Sequence, residues 1–376
     1  MIIYKVKTGD SLFTVSEKFG VSSLDIKLVN GLGTHPYLVK GQSLLIPAKP
    51  RPRALSENTD EIIRIAGKKY RQKIIVAACA ELDLFSVGTF LEESKKTLSL
   101  LSPLKYIIRE DCTLRPLGQE AVLGQLKENN AGILLNIEYG RVAANFDESM
   151  EWRLIKSILN ILKAYGFGGL QIECTVNSAD LPGFVRFIRK LKKAVNPLAI
   201  PVFALLEPSS WLGTNSYATI GNIADYVVLK LYNLFINTKS VCPLAPADIA
   251  QEILSATVEI IPAKKLIIKL PVYGWDWNAK SRKYSMVSTT NAITFAARRG
   301  SDIEYDPKSQ SPFIKYSDEF GNRHVIWFED ICSLYNKLEL VNSYKLAGIC
   351  FDLIEYDTFS LWHLLRYMFN IRARVL

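Results

Sequence analysis

Histidine is scarce in this chain: three occur among 376 residues, at positions 35, 324 and 363. Their scatter speaks against a histidine metal cluster and against a Ser-His-Asp nucleophile site. Six cysteines lie at 79, 112, 174, 242, 332 and 350, and none forms a CxxC pair, so the ligand spacing of a zinc site is missing. Several of them sit in apolar, strand-like runs, where cysteine behaves as a small buried hydrophobe. We expect free thiols made in a reducing compartment, no metal and no other cofactor. No run of about 20 apolar residues is present to span a bilayer. The start, Met-Ile-Ile-Tyr-Lys-Val-Lys, has no apolar signal core. No long Lys/Arg run or basic-aromatic motif points to nucleic acid. The expectation is a soluble protein with no membrane span, no nucleic-acid partner and no ordinary secretion signal.

What is present is an ordinary globular composition, 49% hydrophobic and 22% charged, with apolar material for a large core. The net charge of +9, from 46 basic and 37 acidic residues, favours polyanions such as anionic wall polymers without requiring one. The length suits one (β/α)8 barrel of about 250 residues plus a small module.

Residues 1–48 read as one unit. Ile2 to Val6 alternates as a strand, and Thr8-Gly9-Asp10-Ser11 is a turn in which Asp10 or Ser11 caps a helix running to Phe19. Gly20 ends it, a second helix runs to about Asn30-Gly31, and Ser43–Ile46 is a closing strand before Pro47. Leu12, Val15, Phe19, Leu24 and Leu45 are the expected core of this β-α-α-β unit. Residues 49–69, opening with a Pro- and Arg-rich stretch, read as a stiff linker. From 70 to 376 short apolar strands alternate with helical patterns, at 74–79, 84–90, 104–109, 132–138, 168–175, 200–206, 226–232, 266–272 and 346–353. That rhythm argues for parallel βαβ units. It fits a closed barrel, with a doubly wound open sheet as the alternative. Residues 280–328 break the rhythm and read as a small α+β insertion.

The run Tyr4-Lys5-Val6-Lys7-Thr8-Gly9-Asp10-Ser11-Leu12, with Phe13, Val15, Phe19-Gly20-Val21, Leu24, Asn30 and Gly41–Pro47, resembles a LysM domain across its whole length. The resemblance implies binding of N-acetylglucosamine polymers in a shallow groove. One side would be Gly9, Asp10, Ser11 and Leu12, and the other Asn30, Gly31 and Leu32.

Residues 165–175, Tyr-Gly-Phe-Gly-Gly-Leu-Gln-Ile-Glu-Cys-Thr, resemble the fourth strand of glycoside hydrolase family 18, Tyr-Gly-Phe-Asp-Gly-x-Asp-x-Asp-x-Glu. Tyr226–Asn233, Lys269–Trp277, Pro312–Tyr316 with His324–Asp330, and Gly348–Asp352 resemble the sixth strand, the seventh strand, the inserted subdomain and the eighth strand. The whole is similar to the LysM-bearing branch associated with bacterial spore cortex and germination. In that branch the mother cell makes the protein in its cytoplasm and deposits it on the spore. The resemblance implies a (β/α)8 barrel whose Glu protonates the glycosidic oxygen while the sugar's own acetamide attacks, outside the two-carboxylate scheme.

Carried over position by position, Gly168 replaces the first Asp of the motif, Gln171 and Glu173 follow, and Thr175 stands where the acid belongs. A Thr hydroxyl cannot deliver a proton as a tuned carboxylic acid does. Strand alternation turns Glu173 inward but about 6–7 Å deeper than residue 175; a shifted or bulged strand would rescue it. Asn233 follows Tyr232 where an acid is usual, and Asp352 replaces the floor Trp. The candidate catalytic residues are thus Glu173, Tyr232 and Glu138, the last at the C-terminal end of the third strand. Tyr273, Trp275 and Trp277 offer flat faces for sugar rings. Asp276 and Glu207 read as ordinary paired or solvated acids.

Three readings follow. The first is a binder of peptidoglycan or a chitin-like glycan, located in cell wall, spore cortex or spore surface, with impaired hydrolysis. The second is an active N-acetylglucosaminidase using Glu173 or Glu138. The third is a structural cortex or coat component with spore-coat protein partners.

Overall fold

A computed structural model describes residues 1–33, 37–47, 61–65, 67, 70–79, 90, 92, 94, 97–128, 132–208, 215–234, 241–352 and 359–372. The N-terminal module comprises β1 (Ile2–Lys5), α1 (Leu12–Phe19), α2 (Ser23–Asn30) and β2 (Ser43–Ile46). Ser11, not Asp10, is the cap of α1. Its hydroxyl accepts from Thr14 N–H at 3.1 Å, while Thr14 Oγ1 accepts from Ser11 N–H at 2.8 Å. This reciprocal pair satisfies two otherwise unmet donors. Asp10 instead braces the preceding turn, accepting from Tyr4 OH at 2.6 Å and Lys7 N–H at 2.7 Å.

The module's sheet has two working faces, set by the two-residue period of a strand. Ile2, Tyr4, Leu44 and Ile46 pack on Leu12, Val15, Phe19 and Ile26. Ile3 and Leu45 face the other way and join the large cluster that runs through the barrel. The expected module core is corrected on two points. Leu24 is 61% exposed, because the inward face of α2 is carried by Ile26 and Val29; Leu45 packs outward. The stretch expected as linker also supplies β3 (Ile62–Arg64), which pairs antiparallel with β1.

The barrel begins with β4 (Tyr70–Cys79), then β5 (Leu100–Ser102) and β6 (Lys105–Ile108). β7 (Leu114–Leu117) hairpins back on β6, and α3 spans Ala121–Glu128. β8 (Leu134–Tyr139), α4 (Arg141–Ala144), α5 (Glu148–Tyr165) and β9 (Gly169–Cys174) follow. The second half is α6 (Leu181–Val195), β10 (Val202–Leu206), α7 (Asn215–Ile223), β11 (Tyr226–Lys230), α8 (Ala247–Val258) and β12 (Leu266–Pro271). The expected strand at 84–90 falls, but for Phe90, outside the described residues.

Between β12 and the last barrel strand lies an antiparallel subdomain. It contains β13 (Tyr273–Asn278), β14 (Tyr284–Ser288), α9 (Thr289–Arg299), β15 (Glu304–Asp306), β16 (Ser311–Ser317) and β17 (Arg323–Phe328), in sheet order β14-β13-β17-β16-β15. It therefore starts at Tyr273, earlier than residue 280. Then come α10 (Ile331–Tyr344), β18 (Gly348–Asp352), α11 (Phe359–Met368) and β19 (Phe369–Ile371).

The sheet closes. Parallel ladders run β4-β18-β12-β11-β10-β9-β8, β4 also pairs with β5, and a Leu101–Ile133 bridge joins β5 to the start of β8. This is a (β/α)8 barrel, not an open sheet. Its lower interior is apolar, filled by Ile75, Leu100, Leu134, Phe203, Val228 and Ile267. The five cysteines whose side chains are described form no disulfide with one another, and four of them are buried. No helix among the described residues is long and apolar enough to cross a membrane.

The module is docked on this barrel. Ile303 N–H donates to Lys40 O at 2.9 Å, Lys40 pairs with Asp302, and the Lys5 ammonium lies 3.5 Å from the centre of the Tyr305 ring. Gly41, at φ 86°, has no room for a side chain: a Cβ there would lie 1.9 Å from Ile303 O.

Candidate active site

The C-terminal ends of barrel strands carry the site in this architecture. Above the apolar layers the inward positions turn polar. Asn136 and Glu138 come from β8, Gln171 and Glu173 from β9, and Glu207 from just past β10. Lys230 and Tyr232 come from β11 and its end, Lys269 from β12 and Asp352 from β18. Register holds them in place: Glu138 is opposite Glu173, and Asn136 is opposite Gln171, in the β8–β9 ladder. Gln171 donates to Asn136 Oδ1 at 3.0 Å.

The β8–β9 and β9–β10 ladders run in unbroken register through Cys174. Leu170, Ile172 and Cys174 pack outward with the helices, so Gln171 and Glu173 point inward. No bulge lifts Glu173 to the height of Thr175. Thr175 is exposed at the rim, its N–H donating to Tyr139 O at 3.1 Å. Glu173 is 7% exposed, and its Oε2 lies 2.7 Å from Lys105 Nζ.

Lysines meet each carboxylate. Lys105 also reaches Glu138 Oε2 at 3.4 Å. Burial acts to lower the Lys105 ammonium, but Glu173 and then Glu138 outweigh it and hold the pKa above its ordinary value. Lys230 pairs with Glu207. Lys269 Nζ lies 2.7 Å from Asp352 Oδ1, and Tyr232 OH donates to Asp352 Oδ2 at 2.7 Å. Burial would raise the Asp352 carboxyl, yet Lys269 beside it, with Tyr232, holds it below its ordinary value. Burial pushes the Tyr232 phenol well above its ordinary value. Tyr232 is thus a neutral donor already committed to Asp352.

Glu138 differs from Glu173 in one respect. Its side chain is 35% exposed, and its Oε1 borders the same small space as Thr175 Oγ1. A Cβ added at Gly140 would lie 3.0 Å from Thr175 Oγ1 and 3.6 Å from Glu138 Oε1. Of the candidate carboxylates, Glu138 is the one that reaches toward the rim position of residue 175.

The aromatic candidates divide. Tyr273 and Trp277 are 3% and 1% exposed, so their faces are closed by packing; as ring platforms they are corrected. Trp275 keeps partial exposure. Its indole N–H donates to Asn233 Oδ1 at 2.8 Å, and Asn233 holds this place in the left-handed region at φ 58°. Tyr284 stacks edge-on to Trp275 at 4.8 Å and is 43% exposed. Asp276 belongs to the subdomain's own network, accepting from Tyr316 OH at 2.6 Å and lying 3.0 Å from His324 Nδ1.

In the N-terminal module, Asn30 is a scaffold: its amide donates to Ile26 O and Leu45 O and accepts from Leu45 N–H. Leu12 is core at 7% exposure, and Ser11 and Asp10 serve cap and turn. Gly9, at φ 84°, makes the turn. Asn30, Gly31 and Leu32 line a cleft of about 610 Å³ between module and barrel; Gly9 to Leu12 do not line it.

Sequence reasoning missed Lys105, Lys230 and Lys269. The signal was available: each is a lysine within an apolar strand run, at the inward phase of the alternation.

Comparison with known proteins places these features in context. A model of the glycosyl hydrolases family 18 matches residues 129–357, and one of the LysM domain matches residues 4–47. A cortical fragment-lytic enzyme of Bacillus subtilis is 25% identical, the match covering 99% of both chains. The fold is similar to that of the Bacillus cereus spore cortex-lytic enzyme SleL, with TM-score 0.86, 22% identity and 99% of each chain covered. A chitinase from Chromobacterium violaceum shares the barrel at TM-score 0.69 and 20% identity, over 78% of this chain and 98% of that one.

Proposed function

The chain belongs to the glycosyl hydrolases of family 18 and carries a LysM domain at its N-terminus, and from that premise we propose that it binds the glycan of the bacterial cell wall or spore cortex with hydrolysis strongly impaired. The observation that supports the impairment is at β9. The rim position of the acid is a threonine, the strand register is unbroken, and the next carboxylate down is ion-paired with Lys105. General acid–base assistance is worth typically 10²–10⁴-fold, so losing the donor leaves a binding surface with a residual rate. Tyr232 is tied to Asp352 and would have to exchange that bond to orient a sugar.

Glycan binding is supported by the LysM match over residues 4–47 and by the relation to a cortical fragment-lytic enzyme. That relative's name also favours a second reading, hydrolysis in this chain. The carboxylate we assign to it is Glu138, on the ground that its Oε1 and Thr175 Oγ1 border the same small space at Gly140.

The test uses purified full-length protein, insoluble peptidoglycan and soluble N-acetylglucosamine oligomers. We expect sedimentation with peptidoglycan and reducing-sugar release near background. Release at a rate ordinary for an enzyme, of the order of 1–10³ per second, that disappears in Glu138→Gln would establish the second reading. Failure to sediment or to bind oligomers would remove the first.

A further inference from the structure

The cleft between the N-terminal module and the barrel's inserted subdomain is a feature of the docked arrangement, absent from either part alone. Its volume of about 610 Å³ is in the range of small-molecule sites, about 300–1,000 Å³. The module supplies one wall, Asn30 and Tyr37 among its residues. The barrel supplies the other, with Thr290, Ala297 and Arg298 from α9 and Phe359 from the start of α11. Two aromatic rings stand open here: Tyr37 is 80% exposed and Phe359 39% exposed. The same cleft is lined by Thr290, which carries a hydroxyl, and by Arg298. Flat apolar faces with a few polar groups suit a pyranose, which presents C–H faces and equatorial hydroxyls.

The cleft is built, not incidental. Gly31 sits in the left-handed region, and a Cβ there would lie 2.7 Å from the Phe359 ring. The missing side chain is what lets the ring lie against the module. Lys40, Gly41 and Ile303 lock the two parts at a second point through the Ile303–Lys40 backbone bond. Gly31 and Lys40 are thus each held against the barrel, and a chain seated on Leu32 and Tyr37 faces α9 across the cleft.

We infer that this cleft is a composite glycan site, in which α9 and Phe359 of the barrel complete a subsite begun by Gly31, Leu32 and Tyr37 of the LysM module. The inference rests on the glycan-binding function proposed above and adds the second wall. It makes the ligand a short stretch of N-acetylglucosamine-containing chain held by both parts at once, away from the lysine-paired barrel mouth.

The experiment measures binding of a soluble chitin oligosaccharide to the full-length protein by calorimetry, with thermal unfolding as the fold control. Ala297→Leu enlarges an exposed helix residue into the cleft, and Arg298→Ala removes a polar contact from the barrel wall. Tyr37→Ala removes the module's ring. We expect each to weaken binding by at least about tenfold, a change of ~1.4 kcal/mol, with the melting temperature held. Binding unchanged in Ala297→Leu and Arg298→Ala, but lost in Tyr37→Ala, would overturn the composite site and leave the proposed function standing as a property of the module alone. No binding by the unaltered protein would instead overturn the proposed function. If one barrel-wall variant loses its fold, the other decides the matter.

Discussion

The barrel mouth and the inter-module cleft both carry polar and aromatic groups, but they stand at opposite ends of self-sufficiency. In the mouth, Glu138 and Glu173 share Lys105, Glu207 has Lys230, and Asp352 has Lys269 and Tyr232. A ligand entering there must displace bonds the protein already makes, and the largely buried Lys269–Asp352 pair is costly to break from one side. In the cleft, Tyr37 and Phe359 are open to solvent, so a sugar face displaces only water. The difference teaches that a site can keep its fold and most of its residue types while its spare hydrogen-bonding capacity is consumed internally.

The largest way to break this contrast is Thr175→Glu. The position is exposed and so accepts a longer side chain, and Glu138 close by would raise the new carboxyl toward a proton-donating range. We expect reducing-sugar release from N-acetylglucosamine oligomers to rise by roughly 10²–10³-fold. No gain would show that the lysine-paired mouth has lost productive sugar binding as well as its acid.

Lys269→Met sharpens the contrast on the stability side. It leaves Asp352 beside Tyr232 without its cation, and we expect a loss of roughly 3 kcal/mol in urea unfolding. A loss near zero would mean the mouth is less committed than its distances indicate. Gly41→Val probes the dock. The new side chain would collide with Ile303 O and sit in a left-handed conformation that itself costs about 1–2 kcal/mol. We expect faster hydrogen exchange at the Ile303 amide and weaker oligosaccharide binding, with the barrel's own unfolding little changed.

The smallest effect concerns pH. The Asp352 carboxyl lies below its ordinary value of 3.8 because Lys269 favours its charged form. Its contribution is complete above the unfolded value and is lost as pH falls through the folded one. Asp352→Asn should therefore flatten the acid limb of the stability curve below that ordinary value, measured by chemical unfolding across pH, and leave the neutral region flat.

Much of the fold was legible in the residues. Alternating apolar strands with helical spacers implied the barrel, and Ser11, Gly20 and Gly31 marked the helix ends where they occur. The alternation of β9 correctly turned Glu173 inward and Leu170, Ile172 and Cys174 outward. What misled was local reading of burial. Leu24 looked like core because it is apolar in a helix, yet eight residues of α2 bury only Ile26 and Val29 among their apolar side chains. Trp277 and Tyr273 looked like open platforms because aromatics near a mouth often are, but Tyr273 packs with Tyr232, Leu244 and Ala245 and Trp277 lies against Tyr284 of β14.

By itself the sequence determined which side chains exist at each inward strand position, including a threonine at residue 175, since strand phase is set by a period of two. Only the tertiary structure decided which of those side chains meet. Lys105, Lys230 and Lys269 come from separate strands, and the parallel pairing of β6 with β8, β10 with β11 and β12 with β18 brings each to a carboxylate. The cleft likewise needs Gly31 and Phe359, more than 300 residues apart in the chain, to be pressed together. Pairing across such distances depends on packing of whole elements, which no local pattern encodes.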